Sequence, residues 1–277
     1  MESSSASSEC VIFTVIVPTH RRAHLLFRAL QSVKSQHQFQ DEESAKVQII
    51  VVSDVIDPAT DLVCNQVLEA NDIYLRRAGS AGPSQSRNHA LQLAEGQYIL
   101  FLDDDDALHS EWLMELSKNR VLKAGVPVYG NCTVVTERRL SDTTEFLGAQ
   151  ALDCAGKLDI WLHLKNQVHM SCYAFPRQCI THRRFDHFMR AYEDWEFLLG
   201  LYREFPACHV PSPASYVFEV HDATTDRRGS SSRATGIDAV LDYLYVYRRY
   251  PGPTDEIRRK RSELLARNGL AIPPAYL

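Results

Sequence analysis

Apolar positions in the first hundred residues switch repeatedly between two spacings. Residues 11–17, "VIFTVIV", form an unbroken, mostly β-branched run that ends at Pro18, the pattern of a central strand buried on both faces. In the next stretch, "RRAHLLFRALQSVKSQ", residues Leu25, Leu26, Ala29, Leu30 and Val33 recur at helical spacing, which predicts a helix with one apolar face. The alternation continues with "KVQIIVVS" as strand, 61–70 as helix, "DIYLRR" as strand, 83–94 as helix and "QYILFL" as strand. Strands alternating with helices imply a parallel sheet, because parallel neighbours need long crossover connections.

Beyond residue 125 the alternation weakens. "VPVYGNCTVVTE" reads as a strand or hairpin arm, 137–157 as a loop, and "KLDIWLHLKN" as a short helix. "AYEDWEFLLGLYREF" reads as a helix whose Trp195, Leu198, Leu199 and Tyr202 share a face, and "ASYVFEVH" as a strand ending at His221. The expected organisation is a disordered start (1–10), an α/β half (11–125), a second half of the same domain (126–222), and a flexible loop with basic C-terminal helices (223–277).

The parallel reading places "DDDD", Asp103 to Asp106, just past the carboxyl end of the fourth strand, the edge at which open α/β sheets bind ligands. Asp54 and Asp57 follow the second strand, and "RAGSAGPSQSRN" with Arg87 follows the third. Two carboxylates about 4 Å apart repel by roughly 4 kcal/mol at an effective dielectric of 20, so the run needs cations or water around it. Capping of the following helix by Asp106 or Ser110 accounts for one acid of the four. An EF-hand loop fails on spacing, since Ala107, Leu108 and Met114 stand where an acid, a glycine and a glutamate are needed. A hard divalent cation held by one or two carboxylates, with water and phosphate at its other positions, fits so short a cluster.

Composition narrows the classes. The 277 residues are 45% hydrophobic and 23% charged, ordinary for one large globular domain. Seven cysteines, none spaced as CxxC, argue against a disulfide framework or a zinc knuckle and fit a reducing, cytoplasmic setting. No apolar run approaches the ~20 residues of a membrane span, and the serine-rich start lacks a signal-peptide pattern. Residues 227–277 carry ten Arg/Lys against five Asp/Glu, although the whole chain has a formal net charge of −5. That basic end reads either as a solvated helix face or as a peripheral contact with an anionic membrane leaflet. An acidic body with basic residues confined to one end gives no support to nucleic-acid binding.

The ordered set "VIVPTHRR", "IIVVSD", "GPSQSRNHAL", "FLDDDD", "YEDWEF" and "VH", over roughly 11–222, resembles the inverting family 2 glycosyltransferases. The resemblance implies a GT-A fold: a Rossmann-like, mostly parallel sheet flanked by helices, here with a C-terminal helical extension. It implies that Pro18 and Thr19 line a base pocket, that Asp54 accepts a hydrogen bond from a pyrimidine, and that Arg87 faces the base or diphosphate. The family's usual pair of acids in the second turn is reduced here to Asp54 alone, between Ser53 and Val55. The family D-x-D falls on Asp103 and Asp105, the first near the ribose or sugar and the second on Mn²⁺ or Mg²⁺. With four acids in a row, Asp104 is a second candidate for the ribose. His221 matches the family histidine at the metal or diphosphate, Asp194 the general base, and Glu193 a residue orienting the acceptor or the base.

By that resemblance the chain moves a sugar from a nucleotide-diphosphate donor, UDP- or dTDP-linked, to a hydroxyl of a glycan or lipid-linked acceptor in bacterial surface polysaccharide synthesis. Trp161, His163, His169 and Arg177 are expected to shape the acceptor pocket. The segment "DRRGSSSR" is either a loop closing over the donor or a flexible linker. Two alternatives remain: a metal-dependent aspartyl phosphatase, and a non-catalytic nucleotide-sugar or glycan binder.

Overall fold

The computed structural model describes residues 11–36, 46–140, 143–221 and 236–277. The expectations for 1–10 and for the Ser/Arg-rich segment 226–233 lie outside the described residues. The first half follows the apolar pattern closely: β1 (Val11–Thr19), α1 (Ala23–Lys34), β2 (Lys46–Ser53), α2 (Pro58–Val67), β3 (Ile73–Arg76), α3 (Pro83–Leu93) and β4 (Tyr98–Phe101). The strands lie in the order β3-β2-β1-β4, all parallel. β1 is central, with Phe13, Val15, Ile16 and Val17 fully buried. The buried Thr14 Oγ1 donates to Gln48 Oε1 (2.8 Å) and accepts from Gly96 N–H (2.9 Å). Gly96 has to be glycine, because a Cβ there would lie 2.5 Å from the Thr14 nitrogen.

Helix α2 begins three residues before the expected Asp61 and ends at Val67 instead of residue 70. The side chain of Asp57 caps it, accepting from Thr60 N (3.3 Å) and Thr60 Oγ1 (2.6 Å), with Pro58 at the first helical position.

The second half comprises β5 (Ala107–Leu108), α4 (Trp112–Lys118), α5 (Arg120–Lys123), β6 (Val128–Arg139), β7 (Thr144–Leu152), β8 (Tyr173–Pro176), α6 (Arg177–Ile180), α7 (Glu193–Tyr202), β9 (Cys208–Val220), α8 (Gly236–Arg249) and α9 (Asp255–Arg267). These strands extend the sheet to β3-β2-β1-β4-β8-β6-β9-β5, with β7 on the flank of β6. β6 and β9 are parallel, whereas β4–β8, β6–β8, β5–β9 and β6–β7 pair antiparallel.

Three expectations are corrected here. Residues 137–157 are mostly not a loop: 137–139 finish β6 and 144–152 form β7. β7 is exposed on both faces, so no core imposed a period of two on its sequence. "KLDIWLHLKN" yields only a 3₁₀ turn, Ile160–His163. Helix α4 is capped by neither Asp106 nor Ser110; Glu111 stands at its cap without a side-chain bond.

Helix α7 is buried on nearly all sides instead of along one stripe, because α8 covers its outer face. Trp195 packs against Tyr243 and Tyr247, and Tyr250 donates to Glu196 (2.7 Å). The basic C-terminal end is partly consumed by this packing. Arg261 is fully buried and donates to the carbonyls of His163, Tyr250 and Leu277, its guanidinium 4.0 Å over the Tyr247 ring.

Candidate active site

The carboxyl ends of β1, β2 and β4 converge. Thr19, the last residue of β1, donates through Oγ1 to Asp104 Oδ2 at 2.7 Å, which ties the first strand end to the aspartate run. One residue on, His20 Nδ1 lies 2.5 Å from Asp54 Oδ1. The other Asp54 oxygen accepts from Gly82 N–H at 2.7 Å and faces Arg77 at 3.6 Å. Gly82 has φ 146, a backbone state that L side chains rarely adopt. Arg77 holds the turn before α3 by donating to the carbonyls of Ser80 and Gly82. Asp54 thus stands at the carboxyl end of β2 in the company of His20 and Arg77.

The four aspartates occupy four different environments. Asp103 is the most open, with 44% of its side chain exposed, and accepts from Arg87 at 2.6 Å. Asp104 is buried and accepts from Arg22 (3.0 Å) as well as from Thr19. Burial, opposed by Arg22 and reinforced by Asp105, pushes its carboxyl up to about 6. Asp105 Oδ2 accepts from both Arg22 (3.3 Å) and Arg139 (3.2 Å). Asp106 points inward to Ser171 Oγ and Phe218 N–H, each at 3.2 Å, and burial raises its carboxyl well above the usual range.

The repulsion expected of this run is thus met largely by arginines. Arg28 adds to it, donating to the Asp105 carbonyl (2.8 Å) and pairing with Glu137 (2.7 Å), which also holds Arg139 (2.9 Å). Arg22, Arg28 and Arg139 went unnoticed in the sequence. For Arg22 and Arg139 a signal was present in "HRR" and "ERR", two basic pairs beside strand ends that face an uncompensated acid run; Arg28, inside α1, had none.

Arg87 joins the two halves. Its side chain is 4% exposed and pairs at once with Asp103 and, at 3.1 Å, with Glu193 at the start of α7. Asp194, next in the chain, accepts from Trp195 N–H (2.8 Å) and from Asn166 Nδ2 (3.1 Å). It lies in the first turn of α7, where peptide dipoles favour negative charge. Among the described residues, Arg21 (φ 52) and Tyr192 (φ 61) are the non-glycine positions with left-handed backbone. They immediately precede Arg22 and Glu193, so local strain sits at both entrances to the site.

His169 lies close enough to Asp103 to help hold that carboxyl down, secondary to Arg87 and against the effect of burial. Trp161 is partly exposed with Lys260 over its ring at 5.2 Å, and His163 is held near Arg261. Arg177 does not belong to the acceptor side. Its N–H donates to Gln97 and its guanidinium to Ala94, at the amino end of β4, opposite the aspartates.

His221 stands one residue beyond β9, its N–H donating to the Glu137 carbonyl at 2.9 Å. Among the described residues no three His, Cys, Asp or Glu side chains form a ready-made metal cage. Asp103 and Asp105 each use one carboxylate oxygen toward arginine, and the hydrogen bonds of the described residues leave Asp103 Oδ2 and Asp105 Oδ1 open. Two such oxygens fit a hard cation that completes its shell with water and phosphate.

Comparison with known proteins agrees with this architecture. Residues 14–124 match the family model described as Glycosyl transferase family 2. A GalNAc(5)-diNAcBac-PP-undecaprenol beta-1,3-glucosyltransferase of Campylobacter jejuni is 35% identical over 138 residues, 49% of this chain and 42% of that protein. The poly(ribitol-phosphate) beta-N-acetylglucosaminyltransferase TarS of Staphylococcus aureus is 30% identical over 105 residues, 37% of this chain and 18% of that one. The chain thus spans less than half the length of either relative. The solved structure of TarS 1–349 with UDP-GlcNAc superposes with a TM-score of 0.59 at 16% identity, covering 93% of this chain and 72% of that one. A Pyrobaculum calidifontis mannosyltransferase in complex with GDP-Man and Mn²⁺ gives 0.53 at 15% identity, covering 97% and 78%. At such identities the structural likeness shows the fold.

Proposed function

We propose that this chain, whose residues 14–124 match the family 2 glycosyltransferases, transfers a sugar, with inversion, from a UDP- or dTDP-linked donor to a hydroxyl of a glycan or glycolipid acceptor in bacterial surface polysaccharide synthesis. The observation that carries the reading is the single buried guanidinium of Arg87 between Asp103 and Glu193. A one-step displacement requires the donor's anomeric carbon and the acceptor oxygen to be held at a fixed separation. Arg87 supplies a rigid link between the two sets of side chains that would hold them.

On the donor side, Pro18 and Thr19 border the base pocket and Asp54 accepts from the pyrimidine ring, which would displace His20 from its carboxylate. Asp103 and Asp104 face the ribose. Asp103 Oδ2 and Asp105 Oδ1 would hold Mn²⁺ or Mg²⁺, with His221 approaching the cation or the diphosphate. The bound cation would offset charge growing on the departing diphosphate. Arg22 and Arg139, already beside Asp105, are placed to take part of the same charge.

On the acceptor side, Asp194 removes the proton of the attacking hydroxyl as that oxygen bonds to the anomeric carbon and the carbon–phosphate oxygen bond breaks. The Trp195 N–H and Asn166 amide fix which way the carboxylate faces. Glu193 is held by Arg87 and orients the acceptor. The Campylobacter relative, whose name specifies an undecaprenol-linked substrate, supports a lipid-linked acceptor.

The test is Asp194→Asn. Transfer should fall by about 10²–10⁴-fold, the usual contribution of a general base, while UDP affinity stays unchanged. A parallel loss of nucleotide binding would move Asp194 out of that role.

A further inference from the structure

The outer face of α8 is left uncovered by the rest of the described chain. Val240, Leu241, Tyr245 and Arg248 recur at helical spacing along it, and Leu241 and Tyr245 are 57% and 40% exposed. Beside them the loop before α7 presents Phe188 at 83% exposure. That loop is fastened to α8: Asp242 accepts from the N–H groups of Arg190 and Ala191 (2.8 and 3.0 Å), and Tyr245 Oη donates to Asp186 at 3.1 Å. The apolar residues of loop and helix therefore form one surface.

Its charge is asymmetric. Two acids of this surface are turned onto protein groups, Asp242 onto backbone N–H and Asp186 onto Tyr245 and Arg249. Arg190 on the fastened loop and Arg248 on the helix are exposed at its edge. Apolar and aromatic side chains edged by arginines match the headgroup boundary of an anionic bilayer. The basic residues of α9 suit that role less, because Arg258 pairs with Asp255, Lys260 with Glu256, and Arg261 is buried.

We propose that this α8–Phe188 face docks on an anionic lipid surface and so presents a lipid-tethered acceptor to the adjacent Glu193 and Asp194. The proposal rests on the glycolipid reading of the acceptor. Phe188 lies five residues before Glu193, and Tyr192 packs edge-on against Tyr243 of α8 at 5.2 Å, so the docking face and the acceptor side are mechanically joined. Among the described residues no helix is long and apolar enough to cross a membrane, so the contact is peripheral.

The experiment is flotation of the full chain with vesicles of equal phosphatidylcholine and phosphatidylglycerol, with pure phosphatidylcholine vesicles as control, without donor present. UDP binding is measured separately without vesicles, so failure of the docking proposal and failure of the transferase reading are distinct results. Wild-type protein should float with the anionic vesicles at low salt and lose much of that binding near 1 M salt, where the screening length is about 3 Å. Phe188→Ser with Leu241→Ser should abolish flotation while UDP binding is kept. Arg248→Gln should weaken partitioning about fivefold, the conversion of roughly 1 kcal/mol per arginine near the surface. Arg259→Gln with Arg267→Gln in α9 should change little. A Leu241→Trp variant should show indole quenching by brominated acyl chains, which keeps the proposal open to refutation if the double variant misfolds. Absence of wild-type flotation, dependence on α9 instead of α8, or a stable dimer that buries this face without binding vesicles would each overturn it.

Discussion

The aspartate run past β4 and Asp194 at the start of α7, on the proposed donor and acceptor sides, hold their carboxylates by different means. Past β4, Asp103, Asp104 and Asp105 are each tied to a guanidinium from a different element: α3, the turn before α1, or the end of β6. At α7, Asp194 is held by a backbone N–H and a side-chain amide. The Arg22 and Arg139 pairs can be exchanged when an anionic ligand and a cation arrive, because these arginines can turn from carboxylate to phosphate. A backbone hydrogen bond at a helix start cannot be exchanged so readily. Under the proposed assignment, the donor side is the one built to rearrange around its ligand and the acceptor side the one that stays put, with Arg87 as the link.

The largest effect should come from cutting that link. Arg87→Leu leaves Asp103 and Glu193 without their cation, and Glu193 is nearly buried. Breaking a buried pair from one end costs about 3–5 kcal/mol, readable as a lower midpoint in urea unfolding, and nucleotide binding should fall with it. Arg22→Gln, removing a side chain that is 21% exposed, should cost clearly less. Equal costs would erase the distinction between a structural link and an exchangeable pair.

An intermediate effect is expected from pH. The Asp104 carboxyl sits at about 6 instead of its ordinary 3.8, so between these values the native state binds more protons than the unfolded chain. Stability contributed by this group is complete below the unfolded value and is lost as pH rises through the native one. The full loss is on the order of 3 kcal/mol for a shift of this size. Asp104→Asn should lessen the fall of stability across roughly pH 4–6, leaving the part that the raised Asp106 carboxyl contributes. The smallest effect belongs to Phe146→Ser on exposed β7, a change expected to stay within about 0.5 kcal/mol.

The same contrast governs what could be read from the sequence. β1, β2 and β4 were legible because strands buried on both faces need unbroken apolar runs, and α1 because it buries one stripe. The aspartate run and Asp54 fell at the correct edge for the same reason. β7 was illegible because nearly all of it is exposed, and β5 because two residues are too few to show a period. The α7 helix was found but its burial was underestimated, since Tyr243 and Tyr247 reach it from 40 or more positions away. Arg22, Arg28 and Arg139 escaped because an ion pair between distant segments leaves no local spacing. Only the unpaired charge of "DDDD" pointed to them.

The central claim is that the edge past β1, β2 and β4 binds a nucleoside diphosphate. It is tested most directly by calorimetric titration of UDP, dTDP and GDP into the protein with Mn²⁺ or Mg²⁺ and again with a chelator, repeated on Asp105→Asn. The account predicts cation-dependent binding of UDP or dTDP that the chelator and the substitution both remove. Binding of none of the three, or equal affinity in Asp105→Asn, would contradict it.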